Sequence, residues 1–192
     1  MGPLQNAGMF IIHSIFDLFS IILLLRLISQ YLRVDYYNPL SQFIVKATNP
    51  VVVPLRRFIP GYWGIDMATV AALVVFTFIK IILMTLIGAQ KFPAIVGLLL
   101  WSVGDIFTLT IKLFFWSILI QVISSWMAPT SRSPVTFMLY QLTEPLMRPA
   151  RRLIPTMGGM DISPIPVLII LELLIILLAD PLTRAGFQFA IR

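Results

Sequence analysis

Four apolar stretches, at about residues 9–32, 67–88, 94–127 and 162–187, set the terms on which this chain can fold. Each reaches the roughly 20 mostly apolar residues that a helix needs to cross about 30 Å of hydrocarbon. They put the 192-residue chain, 59% hydrophobic and 11% charged, outside the composition of a soluble domain. The pattern predicts an all-α membrane protein with four transmembrane helices. Residues 1–7 lack the positive n-region of a cleavable signal peptide, so the first stretch reads as a retained span. The third is longer than one crossing requires, which means either tilt or an interfacial piece over residues 94–104 before the span begins.

The connecting sequence is duplicated. Residues 38–66 and 133–161 align without a gap at an offset of 95: Pro39 meets Pro134, Thr48 meets Thr143, Pro50 meets Pro145 and Pro54 meets Pro149. Arg56 and Arg57 fall on Arg151 and Arg152, and Ile59, Pro60, Gly64 and Asp66 fall on Ile154, Pro155, Gly159 and Asp161. Prolines and an arginine pair kept at fixed spacing are an internal-repeat signal that apolar composition alone does not produce. The chain divides into two tandem repeats, 9–88 and 104–187, with 89–103 as a linker or interfacial piece. Two spans per repeat give both repeats the same orientation, so they are parallel rather than inverted.

Within each copy the loop reads as short helices. Asn38 before Pro39, and Ser133 before Pro134, put a capping side chain ahead of proline at the first helical position. Leu40, Phe43, Ile44 and Ala47, and likewise Val135, Met138, Leu139 and Leu142, form one apolar face. Pro50 and Pro145 are expected to end these helices after about ten residues. A second short turn, 54–60 and 149–155, then presents the arginine pair. The element is expected to lie amphipathically in the interface, with a re-entrant dip as the alternative.

Arg33, Lys46, Arg56 and Arg57 follow the first span, and Arg132, Arg148, Arg151 and Arg152 follow the third, whereas only Lys91 separates spans two and three. By the positive-inside rule, loops 33–66 and 128–161 are cytoplasmic and both termini periplasmic, although Arg184 and Arg192 weaken the bias. The net charge of +6 is dispersed in short clusters between apolar runs, which argues against nucleic acid and for anionic lipid headgroups as the counter-charge. With no cysteine there is no disulfide or thiolate site. No Gly-rich phosphate loop, nucleophile elbow or histidine-rich metal spacing occurs, so no catalytic, cofactor or metal residue is assigned and an enzyme is the least supported class.

Arg56, Arg57, Arg151 and Arg152 are the candidate lipid- or partner-binding residues, guanidinium being suited to bidentate phosphate contact, and they also serve as positive-inside anchors. Asp66 and Asp161 are expected to accept backbone N–H bonds at the helix starts that follow them. Charges inside the spans are costly and face a partner or water. Under the repeat offset Asp17 corresponds to Lys112, and a rise of 1.5 Å per residue puts both, and Lys80, about 20 Å from the cytoplasmic span ends. An interior cluster of Asp17, Lys80, Lys112 and Glu172 is expected, with Asp105 nearer the far interface. It reads either as an ion or proton pathway or as a structural ion-pair network. Arg26 is close enough to the cytoplasmic face to snorkel. His13 lies one turn from Asp17, and Trp101, Trp116, Trp126, Tyr31, Tyr36 and Tyr37 suit interface belts.

The segments Pro-Leu-Arg-Arg-Phe-Ile-Pro and Pro-Ala-Arg-Arg-Leu-Ile-Pro, each following an Asn/Ser-Pro helix and ending in Gly-x-Asp, resemble the YggT family of small bacterial integral membrane proteins. The likeness extends to Leu-Leu-Leu-Arg at 23–26, Asp-Tyr-Tyr-Asn-Pro at 35–39 and Met-Gly-Gly-Met-Asp at 157–161, and covers nearly the whole chain. The resemblance implies a protein of the bacterial inner membrane connected with osmotic-stress tolerance and ion homeostasis. For related proteins of plastids and cyanobacteria it implies cofactor assembly of a membrane cytochrome, and division or nucleoid organisation. It supplies no catalytic residue. Two functions follow: ion movement or homeostasis, in which four spans would need a homo-oligomer to enclose a cavity; or a non-transporting scaffold that binds anionic lipid or other membrane proteins.

Overall fold

The computed structural model describes residues 2–62, 64–127, 133–154 and 161–191. The helices are α1 (Pro3–Tyr31), α2 (Pro39–Arg56), α3 (Met67–Gly88), α4 (Ile95–Met127), α5 (Pro134–Leu153), α6 (Pro164–Leu174) and α7 (Asp180–Ala190). A single π-helical turn, Ile175–Ala179, joins the last two into one continuous apolar helix, Pro164–Ala190. That helix, with α1, α3 and α4, makes four long and apolar enough to cross a membrane. Among the described residues the only β-pairing is one bridge between Tyr62 and Ile65, which closes a tight turn at Gly64. Gly64 has φ +78, a conformation that favours a residue without a Cβ.

Within each repeat two spans pack on each other, α1 on α3 and α4 on the α6–α7 helix, and the repeats meet through α3 and α4. The amphipathic helix of each copy closes one end of its own pair, α2 against α1 and α3, α5 against α4 and α6. Each repeat has its own buried core. Leu23, Val52 and Ala72 belong to the first, and Ile118, Met147 and Val167, the residues 95 positions later, belong to the second. Phe10, Ile15, Leu18, Ile169, Ile170 and Leu177 are exposed, as lipid-facing side chains of a bundle are.

The helix α4 runs unbroken past Gly104. Its first turns do not lie apart as an interfacial piece; they are held along α7. A Cβ placed on Gly97 or Gly104 would overlap the backbone at Ala190 or Thr183, and one on Gly186 would overlap Trp101. Small residues let these two helices approach closely, as dispersion-driven packing in a membrane requires. Trp101 stacks edge-on against Phe187 at 5.2 Å beside this contact.

Asn38 and Ser133 cap their helices as expected, accepting from Leu40 N at 2.9 Å and from Thr136 N at 3.1 Å. The prolines do not end them. One helix of 18 residues passes through Pro50 and Pro54, and one of 20 passes through Pro145 and Pro149. An interior proline costs about 3 kcal/mol. Here all four lie on the exposed face, where freed carbonyls can be solvated, while Ser41, Ile44, Thr48 and Val52, or Met138, Leu142, Thr143 and Met147, are buried on the other. Tertiary burial of that stripe outweighs the local break. Each arginine pair therefore sits at or just beyond the C-terminus of one amphipathic helix, and Pro155, Gly159 and the 157–160 segment lie outside the described residues.

Candidate functional site

The arginine pairs divide their roles. Arg56 Nη2 donates to Asp66 Oδ2 at 2.5 Å and its Nε lies 3.2 Å from the same oxygen. Arg151 Nε donates to Asp161 Oδ2 at 3.1 Å, and its Nη1 donates to Glu144 at 3.0 Å. The second arginine of each pair, Arg57 or Arg152, is exposed and has no ion-pair partner among the described residues. One guanidinium thus fastens the end of the amphipathic helix to the residue before the next span, and its neighbour faces outward.

Asp66 differs from the expected cap. Among the described residues its carboxylate accepts no backbone N–H; it takes Arg56 and, at 2.7 Å, the Thr69 hydroxyl. Burial alone would push its carboxyl up, but hydrogen bonds from Arg56 and Thr69 and the charges of Arg56 and Arg26 outweigh that and hold it below the usual carboxylate range. The hydrogen bond to Asp66 correspondingly raises Arg56. Asp161 does accept a backbone N–H, that of Ser163 at 3.0 Å, with the Ser163 hydroxyl at 2.6 Å. Burial also pushes its carboxyl up, and the two bonds from Ser163 together with Arg151 bring it below the ordinary value.

Arg26 does not snorkel. Only 5% exposed, it turns inward and donates from Nη1 to Thr48 Oγ1 at 2.6 Å, Asn49 Oδ1 at 3.0 Å and Val45 O at 3.3 Å. Its Nε lies 3.8 Å from Asp66. The reason is that α2 folds beneath the end of α1 and supplies acceptors nearer than the membrane surface. In the second copy Gln121 stands in Arg26's place and accepts from Thr143 Oγ1 at 2.6 Å. Thr48 and Thr143, matched in the repeat, are the clue in the sequence to this hidden contact.

Around Arg26 the C-terminal turn of α1 and the inner face of α2 leave a cavity of about 510 Å³, lined by Arg26, Ser29, Arg33, Ser41, Asn49 and Arg56 among others. Sequence reasoning missed Ser29, Ser41 and Asn49. They are ordinary polar residues on a helix face until the fold turns them toward one space.

In the spans, the structure brings together Asp17 and Lys80 but completes the group with Asp105. Lys80 Nζ is 2.6 Å from Asp17 and 2.5 Å from Asp105, and Lys80 is 1% exposed. His13 Nδ1 lies 3.3 Å from Asp17 one turn away. Lys112 and Glu172 are not in the cluster: both are exposed, and neither has an ion pair among the described residues. Lys112 instead shares with Asp17 the wall of a second cavity, about 420 Å³, with Trp116 and Met138. Asp105 is therefore not an outer-interface residue. The turn joining α3 to α4 is short, and counting from it puts Lys80 and Asp105 at about 12 and 15 Å along adjacent antiparallel helices. Counting from the far ends of separate spans hid this.

Tyr31, Tyr36, Tyr37 and Trp116 are exposed, as belt residues are; Trp101 is engaged between α4 and α7, and the Trp126 side chain, Arg132 and Arg192 lie outside the described residues. Among the described residues no three His, Asp or Glu side chains converge as metal ligands.

A family model described as CCB3/YggT matches residues 5–87 and 100–182, two segments separated by the repeat offset. An uncharacterized protein of Pseudomonas aeruginosa is 42% identical over 183 residues, covering 95% of this chain and 93% of its own length. One from the proC 3′ region of Vibrio alginolyticus is 41% identical over 187 residues, 96% of this chain and 100% of its own. An Escherichia coli K12 protein printed as uncharacterized protein YggT is 38% identical over 185 residues, 95% of this chain and 94% of its own. No solved structure matches.

Proposed function

The chain belongs to the CCB3/YggT family, and from that premise we propose that it is a non-transporting scaffold of the bacterial inner membrane that binds anionic lipid, in support of osmotic-stress tolerance. The carrying observation is the division within each arginine pair. Arg56 and Arg151 are tied to aspartates, which fixes α2 and α5 in place, and Arg57 and Arg152 beside them are free to meet headgroup phosphates. The bias of Lys and Arg toward loops 33–66 and 128–161 supports a cytoplasmic position for this surface and a periplasmic one for both termini. Lys80, buried and neutralised by two carboxylates, supports a closed and structural interior.

The test is lipid retention by the purified full-length protein, extracted from membranes of mixed zwitterionic and anionic lipid. Each surface arginine near anionic lipid is worth about 1 kcal/mol, so losing two of them in Arg57→Gln/Arg152→Gln is expected to lower retention of phosphatidylglycerol about thirtyfold. Retention equal to the parent protein's would sink the reading. A second reading, ion movement in service of ion homeostasis, is favoured by the cavity that Asp17 shares with Lys112. Flux in proteoliposomes decides between them: the scaffold gives none above empty vesicles, whereas a pathway gives flux that Lys112→Leu removes.

A further inference from the structure

We infer that the cavity between α1 and α2 in the first repeat is a built site for the phosphate of a single anionic lipid headgroup, an inference that rests on the anionic-lipid reading above and gives it a discrete address. Three guanidiniums, Arg26, Arg33 and Arg56, line one space of about 510 Å³. Only Asp66 lies against two of them, and it is not in the wall, so the space is net positive. Among the described residues Arg26 donates hydrogen bonds from Nη1 alone. Arg33 has no ion pair among the described residues. Three guanidiniums served by one carboxylate leave an excess of positive charge that suits an anion arriving from outside.

The independent observation is a pair of hydroxyls. Ser29 Oγ and Ser41 Oγ are buried and have no hydrogen-bond partner among the described residues, and both residues line this cavity. Ser41 is only 7% exposed. A buried hydroxyl left unpaired is costly, and a phosphate supplies acceptor oxygens that would satisfy it. Ile44, Val45 and Val53 line the same space, and Val53 is 45% exposed. Guanidiniums and aliphatic side chains lining one space match an amphiphile's phosphate and the start of its chains better than they match a free ion.

The duplication supplies an internal control. Gln121, Ala128 and Glu144 stand where the first repeat has Arg26, Arg33 and Asn49. Glu144 also occupies Arg151, and Arg148 stands in the place of Val53, so the second copy has lost the guanidiniums of Arg26 and Arg33, gained one on the exposed rim and gained a carboxylate on Arg151. The cationic space is a property of the first repeat, whereas the exposed arginines Arg57 and Arg152 belong to both.

The experiment uses the full-length chain purified in a neutral detergent, with phosphatidylglycerol, glycerol 3-phosphate and inorganic phosphate as separate probes. Binding is read by native mass spectrometry and by the rise in melting temperature. Ser41→Ala removes a hydroxyl with no partner, so without probe its melting temperature is expected to match or exceed the parent's, while phosphatidylglycerol binding falls about fivefold. Arg33→Gln, on an exposed side chain, is expected to lower binding about tenfold. Saturating binding of one phosphatidylglycerol, weakly competed by glycerol 3-phosphate or phosphate, supports a lipid source; strong competition by either supports the same phosphate chemistry with a soluble ligand. Unchanged affinity in both Ser41→Ala and Arg33→Gln overturns the site. If those variants bind normally while Arg57→Gln/Arg152→Gln loses lipid, only this site fails and the scaffold reading stands.

Discussion

In the first repeat a buried arginine on the first span reaches down into the amphipathic helix, and a buried lysine on the second span is held between two carboxylates. In the second repeat the equivalent positions are Gln121 and Ile175, the one a neutral hydrogen-bond partner of Thr143 and the other part of an apolar cluster with Ile118 and Val167. Two copies of one architecture thus hold together by different chemistry. The shared Thr48/Thr143 anchor and the shared Arg–Asp clasp are what the architecture requires. The buried charges of the first copy are what it can do without, because the second copy does.

This contrast is broken most severely at Lys80. Lys80→Leu leaves Asp17 and Asp105 without their cation inside the bundle, and removing one partner of a buried ion pair costs about 3–5 kcal/mol. The triple change Lys80→Ile, Asp17→Leu, Asp105→Leu puts the second repeat's isoleucine at Lys80 and removes both stranded carboxylates, and is expected to regain most of that loss. Thermal unfolding in detergent measures both. A triple variant as unstable as the single one would show that the two repeats are not interchangeable solutions.

Arg26 comes next. Arg26→Gln converts the first copy to the second copy's arrangement and keeps a partner for Thr48, so it should cost about 2 kcal/mol, the worth of a charge-assisted hydrogen bond. Arg26→Leu strands the acceptors at Thr48 and Asn49 and should cost more. Equal losses in the two variants, by the same unfolding measurement, would mean that packing rather than hydrogen bonding holds α2 to α1.

What was legible in the sequence follows the same line. The number of spans, the duplication and the two N-caps rest on local pattern, and four long apolar helices, two matched segments and both caps are present. The continuation of α2 and α5 through their prolines was not legible, because what sustains it is burial of Ser41, Thr48 and Val52 against other helices. Arg26 at the membrane edge reads equally as a snorkelling or a buried residue until α2 is known to fold beneath it. The ionic cluster was half legible: Asp17 and Lys80 were found by depth along their own spans, but choosing Asp105 over Lys112 needed the relative shift of α3 and α4. That shift follows from the short turn that joins α3 to α4 and from the packing of the two helices on each other, neither of which a count within one helix contains.

Acid separates the two clasps. Asp66 and Asp161 both lie below the usual carboxylate range, and such a group adds stability that is complete above its unfolded value, about 4, and is lost as pH falls through the depressed folded value. Melting temperature is therefore expected to fall from about pH 4 downward. Asp66 has a side chain 3% exposed and two arginines near it, whereas Asp161 is 36% exposed. Asp66→Asn should flatten the acid limb more than Asp161→Asn, and the reverse ranking would contradict the greater electrostatic weight assigned to the first copy.

The smallest effect tests the feature that the two repeats share. Arg57 and Arg152 are exposed and have no ion pair among the described residues, and substitutions at such positions usually change stability by less than about 0.5 kcal/mol. Arg57→Gln and Arg152→Gln should therefore leave detergent unfolding unaltered, while Arg56→Gln one residue away frees the buried Asp66 carboxylate and should lower it measurably. The same Arg57 and Arg152 variants should act on lipid retention, where Arg56 is already committed to Asp66. A stability loss at Arg57 matching that at Arg56 would mean that the second guanidinium also belongs to the clasp. The pair would then be a structural unit in both copies, and the headgroup-facing surface would have to come from Lys46 and Arg148 instead.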